Sequence, residues 1–325
     1  MHRLEEIDFL RGYSIFTIIL MHLVRPSSAG LIKTALSFGG AGVHVFILVS
    51  GFGLYLSYLI NPLSYQDFLK KRFMRVYLPY LFIVLLFAAY FGCLGRFDML
   101  TLSSHVFLFK MFNHTWDTSY AYSLWFLSTI FQFYLFWPII LKIAKSKQGL
   151  LISIAISISW ATLVGLMGKQ GDRAWASFFL QYLWEFVLGI KLAEIYRKMP
   201  EKIIVPSYWV LLVGTVGGMV LSGIMGKIGG VLKLYNDFPS LLGYLSLALL
   251  IYKIAIPVIN KFFLFTNKIS YEWYLLHGFT FLVFRHAFLS SMPIFPALLL
   301  CLLLSFLFAY AYSFLLMKIG IKTVY

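Results

Sequence analysis

From residue 6 to residue 317 the chain is a near-continuous series of apolar runs, each roughly the 17–25 residues that an α-helix needs to cross the hydrocarbon core of a bilayer. The runs lie near 6–24, 41–60, 76–95, 121–143 and 150–167, then 175–196, 206–225, 239–257, 269–289 and 296–317. Lipid offers no hydrogen-bond partner to a bare backbone, so runs of this length are expected to be helices that satisfy themselves. The gaps carry turn and helix-stop chemistry: Asn61-Pro62, Gly168 to Gly171, Pro200, Gly229-Gly230, Pro239, Pro257 and Pro293. Segment 96–120 fits less well, because its apolar stretch Val106–Phe112 is too short to span, and it either lies in the interface or re-enters. With 61% hydrophobic and 12% charged residues and a mean hydropathy of +0.86, a water-soluble globule is excluded. The expected fold is all-α, a polytopic membrane protein of about ten transmembrane helices, with residues 1–325 as one domain and no soluble domain.

The net charge of +15 invites comparison with nucleic-acid binders, but those display Lys and Arg on a hydrated face. Here the cations sit in short gaps between apolar runs, so the bilayer is the expected partner and nucleic acid is not. If the N-terminus is inside, 17 Lys and Arg fall at inner ends, among them Arg3, Lys70 to Arg75, Lys318 and Lys322, against nine at outer ends and Arg11 within the first run. That bias predicts an even number of spans with both termini cytoplasmic, and a multi-pass protein of the cytoplasmic (inner) membrane. The first run resembles a signal sequence only faintly. Glu5, Glu6 and Asp8 stand where a basic cluster belongs, so it is expected to remain as the first helix of a complete chain. Cys93 and Cys301 are far apart in apolar stretches, which gives no disulfide framework, and no metal-ligand spacing is present.

Ionisable groups inside a bilayer are costly, so each marks a functional candidate. They are Arg11, His22, His44, Glu185, Glu272 and His277, with Asp8 at a boundary. Arg11 and His22 are 11 residues apart, about 1,100° of helical rotation, and so share one face roughly 16 Å apart along the axis. Two readings remain open for each from the residues alone: Arg11 snorkels to headgroups or binds a ligand, and His22 satisfies a neighbouring carbonyl or acts as a base.

Five stretches, taken in order, resemble the acyltransferase-3 family of bacterial membrane O-acyltransferases over most of the chain. Ile7-Asp8-Phe9-Leu10-Arg11-Gly12, with His22 eleven positions after the Arg, is similar to the family's opening. Gly42-Val43-His44-Val45-Phe46-Ile47-Leu48-Val49-Ser50-Gly51-Phe52 resembles its second-span signature. Lys71-Arg72-Phe73-Met74-Arg75-Val76-Tyr77-Leu78-Pro79-Tyr80 is similar to its inner-loop pattern. Leu124-Trp125-Phe126-Leu127-Ser128 with Tyr134 and Pro138 follows, and then Ile269-Ser270-Tyr271-Glu272-Trp273-Tyr274-Leu275-Leu276-His277. His44 departs from relatives, many of which carry an acidic or other polar residue there.

The resemblance implies transfer of an acyl group, commonly acetyl, from acyl-CoA to a hydroxyl of a carbohydrate or glycolipid, with acyl-CoA as co-substrate and no bound cofactor. A sugar hydroxyl needs a base of near-neutral pKa within hydrogen-bond reach, which makes His22 the candidate catalytic base and Arg11 its catalytic companion. Arg72 and Arg75, three residues apart at a helix entry, are expected to present two guanidinium forks to the phosphates of CoA, although the positive-inside bias accounts for them too. His44, Ser50, Tyr271, Tyr274 and His277 are expected to line the acceptor or thioester cavity. Packing is the alternative for Ser50, as for the neighbouring Gly51, and for the aromatic residues. Glu272 has Lys268 as a candidate partner, while no partner for Glu185 is visible. A transporter or flippase of a lipid-linked sugar is the rival from another class, since buried charge and broken helices also describe transport pathways. The acceptor's identity, the acyl chain and the oligomeric state are not encoded in any motif.

Overall fold

The computed structural model describes residues 4–119 and 121–321, so Arg3 and Lys322 of the inner cation set lie outside it. Among the described residues every regular element is helical. The principal helices are α1 (Glu5–Val24), α2 (Gly42–Ile60), α3 (Leu78–Cys93), α4 (Trp125–Leu135), α5 (Trp137–Lys145) and α6 (Gly149–Leu166). They are followed by α7 (Leu183–Lys198), α8 (Tyr208–Ile228), α9 (Asp237–Ile254), α10 (Pro257–Asn267), α11 (Ser270–Ser291) and α12 (Ile294–Lys318). Among the described residues, eight helical stretches are long and apolar enough to cross a membrane, and the bent pair Tyr122–Leu135 and Trp137–Lys145, taken as one span, makes nine. The sequence suggests about ten; the remaining candidate, α11, is 22 residues long but carries Glu272, His277, Arg285 and His286, and is not among the apolar set.

Two prolines reshape the expected spans. The run 121–143 is not one straight helix: it bends by 65° between α4 and α5, where Pro138 supplies no N–H and its ring crowds the preceding turn. Ahead of Pro79 the chain passes from a short helix, Tyr65–Arg72, through a π-helical turn, Phe73–Tyr77, so this helical stretch begins well before residue 76. Of segment 96–120, the described residues 96–119 fold into short helices, Met99–Val106, Lys110–Phe112 and His114–Asp117, none long enough to span. Asp98 caps the first by accepting from Thr101 N at 2.7 Å. Tyr77 and Tyr80 pin its last turn to the bundle by donating to the carbonyls of Val106 and His105, at 2.6 and 2.8 Å.

The helices are drawn together by small residues where backbones meet, the device that works in lipid because apolar side chains gain little there from helix contact alone. A Cβ on Gly51 of α2 would stand 2.1 Å from the Phe186 carbonyl oxygen of α7, and one on Gly189 would stand 2.0 Å from that of Leu48. The α2–α7 contact is therefore backbone against backbone. Helix α1 packs on α2, α11 and the short α10. Gly12 meets α10 so closely that a Cβ would lie 1.8 Å from the Phe263 carbonyl oxygen. Helices α11 and α12 are joined by Trp273, whose Nε1 donates to Ser305 Oγ at 3.0 Å inside the contact.

Candidate active site

A helix turns about 100° per residue, so Arg11, Ile18, His22 and Arg25 fall along one side of the first helix and its extension. All four line a cavity of about 450 Å³. Helix α2 contributes Val43, Phe46 and Ser50, again at helical spacing, α4 contributes Trp125, Phe126, Leu127, Ile130 and Tyr134, and α11 contributes Ser270, Tyr271 and Tyr274. At the Arg11 end the guanidinium lies against α2, since a Cβ on Gly53 would meet Arg11 Nη2 at 3.1 Å. Tyr271 closes that end by donating to the Val76 carbonyl at 2.5 Å. Arg11 therefore faces a cavity inside the bundle.

At the other end His22 Nδ1 lies 2.8 Å from Nε2 of His277, with the two rings inclined by 10°. His277 is fully buried, and its Nδ1 faces the carbonyl oxygens of Tyr274 and Trp273, at 2.7 and 3.2 Å. Carbonyls only accept, so Nδ1 of His277 carries the hydrogen and Nε2 is the acceptor when the ring is neutral. His22 then donates from Nδ1, which leaves its Nε2 unprotonated. A backbone fixture thus selects the tautomer of His277, and His277 selects that of His22. This is the base-and-orienter arrangement of general-base sites, with an imidazole and two carbonyls in the orienting position.

Of the expected cavity residues, Ser50, Tyr271 and Tyr274 are on the lining, Tyr274 with its hydroxyl donated to the Ser123 carbonyl at 3.1 Å. His277 is not on the lining but stands behind His22. His44 is a correction: it is absent from this cavity and faces Glu185 and Asp237 instead, at 2.8 and 3.7 Å, because it lies one residue, about 100°, round α2 from Val43. Glu185 thereby gains a partner that the sequence did not name. Glu272 is fully buried, whereas Lys268 is exposed. Arg72 is buried with its guanidinium over the rings of Phe68 and Tyr134, at 5.4 and 5.9 Å, and Arg75 is half-buried. Neither arginine lines the cavity, but the Tyr134 ring beneath Arg72 does.

Arg173 is the residue that sequence reasoning missed. It lines the His22 end of this cavity and also a second cavity of about 700 Å³, so it stands in the wall between them. Its guanidinium lies 4.6 Å over the Trp125 ring and pairs with Asp117 at 3.3 Å. In the sequence it is only a cation ahead of an apolar run, indistinguishable from a topology signal. Near the same wall Lys110 is fully buried and donates to the Ala121 carbonyl at 2.8 Å. Burial pushes its ammonium down to about 7, opposed by the charge of Asp117 and reinforced by that of Arg173.

Membrane-length helices around a cavity lined by a tautomer-fixed histidine define a multi-pass membrane protein with a candidate active site within the bundle. The acyltransferase domain family matches residues 4–314, nearly the whole chain, and the chain belongs to that acyltransferase-3 family: it is a membrane acyltransferase. Comparisons with curated proteins and with solved structures gave no match.

Proposed function

We propose that the protein transfers an acyl group, acetyl by family resemblance, from acyl-CoA to a hydroxyl of a cell-envelope carbohydrate or glycolipid at the cytoplasmic (inner) membrane. The observation that carries this reading is the His22–His277 pair, which leaves Nε2 unprotonated on a histidine that lines a cavity running along α1 to Arg11. The thioester enters from the Arg11 end, where Arg72 and Arg75 lie near the approach and guanidinium forks suit the phosphates of CoA. The acceptor hydroxyl meets it at the His22 end. His22 Nε2 takes the hydroxyl proton as the oxygen attacks the thioester carbonyl. The tetrahedral intermediate then collapses with cleavage of the C–S bond, and the departing thiolate recovers the proton from His22. No acyl-enzyme is required.

The test is thioester turnover by the purified protein in lipid nanodiscs, read as free CoA released from acetyl-CoA with and without an envelope glycan extract. Extract-stimulated release that disappears in His22→Ala supports the reading. Release that is insensitive to His22→Ala refutes the assignment of the base. If folded protein releases no CoA with any acyl-CoA tested, CoA thioesters are not the donor.

A further inference from the structure

His44, Glu185 and Asp237 come from three helices, α2, α7 and α9, and gather their ligating atoms within 4.8 Å of one another, away from the His22 cavity. We propose that they form a binding site for a divalent cation of the zinc class. One imidazole and two carboxylates are a donor set that such ions take, with a further position left open. Ligands on tetrahedral zinc stand roughly 3.4 Å apart, so closing the cluster needs a movement of about an ångström at its widest separation.

The hydrogen bonding of the cluster points the same way, because it holds more acceptors than donors. Gln181 spends its Nε2 hydrogens on the Leu234 carbonyl and on Asp237 Oδ2, at 2.8 and 2.7 Å. Neutral His44 has one N–H to give, and Glu185 Oε1 lies 2.8 Å from its Nδ1. That leaves Glu185 Oε2 and Gln181 Oε1 buried without a hydrogen-bond partner, on side chains that are 0% and 3% exposed. Orphaned buried oxygens around two carboxylates are an electrostatic cost that a bound cation removes. Glu185 and Asp237 each lie in the first turn of a helix, where the peptide dipoles favour the ionised, ligating carboxylate. Entry is provided by the second cavity, whose lining includes Asp237 and Tyr182. The three ligands are spread over residues 44, 185 and 237, so no local spacing motif records them.

The experiment uses the full chain without a histidine tag, stripped with chelator and then reloaded with zinc, with the metal retained after gel filtration measured by mass spectrometry. The expected result is one zinc per chain in the wild type and in His22→Ala, and loss of that zinc in both Glu185→Gln and Asp237→Asn. Retention in the carboxylate variants, or loss in His22→Ala, places the ion elsewhere and overturns the proposal. Where a variant does not fold, the wild type alone still decides. Co²⁺ should give the visible bands of a tetrahedral N/O site without a thiolate charge-transfer band, and zinc should raise the melting temperature reversibly. Absence of both effects in folded wild-type protein overturns the proposal.

Discussion

Nδ1 of His22 and Nε2 of His277 lie 2.8 Å apart across 255 residues of sequence, and the second ring is anchored in turn by the carbonyls of Tyr274 and Trp273. One member of the pair reaches the cavity and the other only supports it, so the two should respond differently to substitution. His22→Ala should lower acyl transfer by about 10²–10⁴-fold, the usual contribution of a positioned base. His277→Leu removes the acceptor that holds His22 and should reduce kcat with little change in KM. His277→Gln, which can still offer an oxygen to His22, should recover part of that loss. Equal activity in the Leu and Gln variants would show that His277 is a packing residue.

Gly12 sits in the Leu-Arg-Gly opening of the chain, and the contact it makes is structural. A Cβ there would lie 1.8 Å from the carbonyl oxygen of Phe263, a distance that requires α1 and α10 to separate. Gly12→Ala should therefore cost at least the roughly 1–3 kcal/mol of an overpacked core and lower the yield of monodisperse protein. Gly217 in α8 has nothing within 4 Å of its would-be Cβ, and Gly217→Ala should be neutral or mildly stabilising, by up to about 1 kcal/mol from helix propensity. Thermal unfolding of the two variants beside wild type checks the contrast.

Arg72 and Arg75 look equivalent in the sequence and are not equivalent in the fold. Arg72 is buried over two aromatic rings, contacts worth about 0.5–2 kcal/mol, whereas Arg75 is half-buried. Arg75→Gln should raise the apparent KM for acyl-CoA while sparing the melting temperature. Arg72→Gln should lower the melting temperature as well as weaken acyl-CoA binding. The comparison needs only initial rates against acyl-CoA concentration and a melting curve for each variant.

How far the site could be read from the sequence depended on whether its geometry was local. Arg11 and His22 share a helix, so their spacing placed them on one face, and both line the same cavity. His277 lies in another helix, and no periodicity joins it to His22. The helical period sets His44 apart from Ser50. It lies six residues before Ser50, about 600° of rotation or 240° beyond a full turn, off the stripe of α2 that lines the cavity. Val43, Phe46 and Ser50 are the three that do. The spans were legible where runs are uniformly apolar and less so where Pro138 bends a run and where α11 trades apolarity for Glu272, His277, Arg285 and His286. Gly12, Gly51 and Gly189 were visible as small residues, but only their partners' carbonyls show why no side chain fits.

Lys110 gives the protein a pH dependence of stability whose sign follows from its burial. Its ammonium is pushed down to about 7 in the folded chain, whereas an unfolded lysine titrates near 10.4. Between those values the unfolded chain binds a proton at this position that the folded chain does not, and stability then rises with pH. Below about 7 both states are protonated, the folded state bears the full cost of the buried charge, and the dependence on this group vanishes. The melting temperature of the wild type in detergent should therefore climb as the pH is raised from neutrality toward 10, beyond any trend in Lys110→Met. Near pH 7 the Met variant keeps most of the side-chain volume and carries no charge to desolvate, so it should melt no lower than wild type unless the Nζ bond to the Ala121 carbonyl outweighs that cost. Parallel melting curves for the two proteins across this range would show that Lys110 stays charged in the folded state.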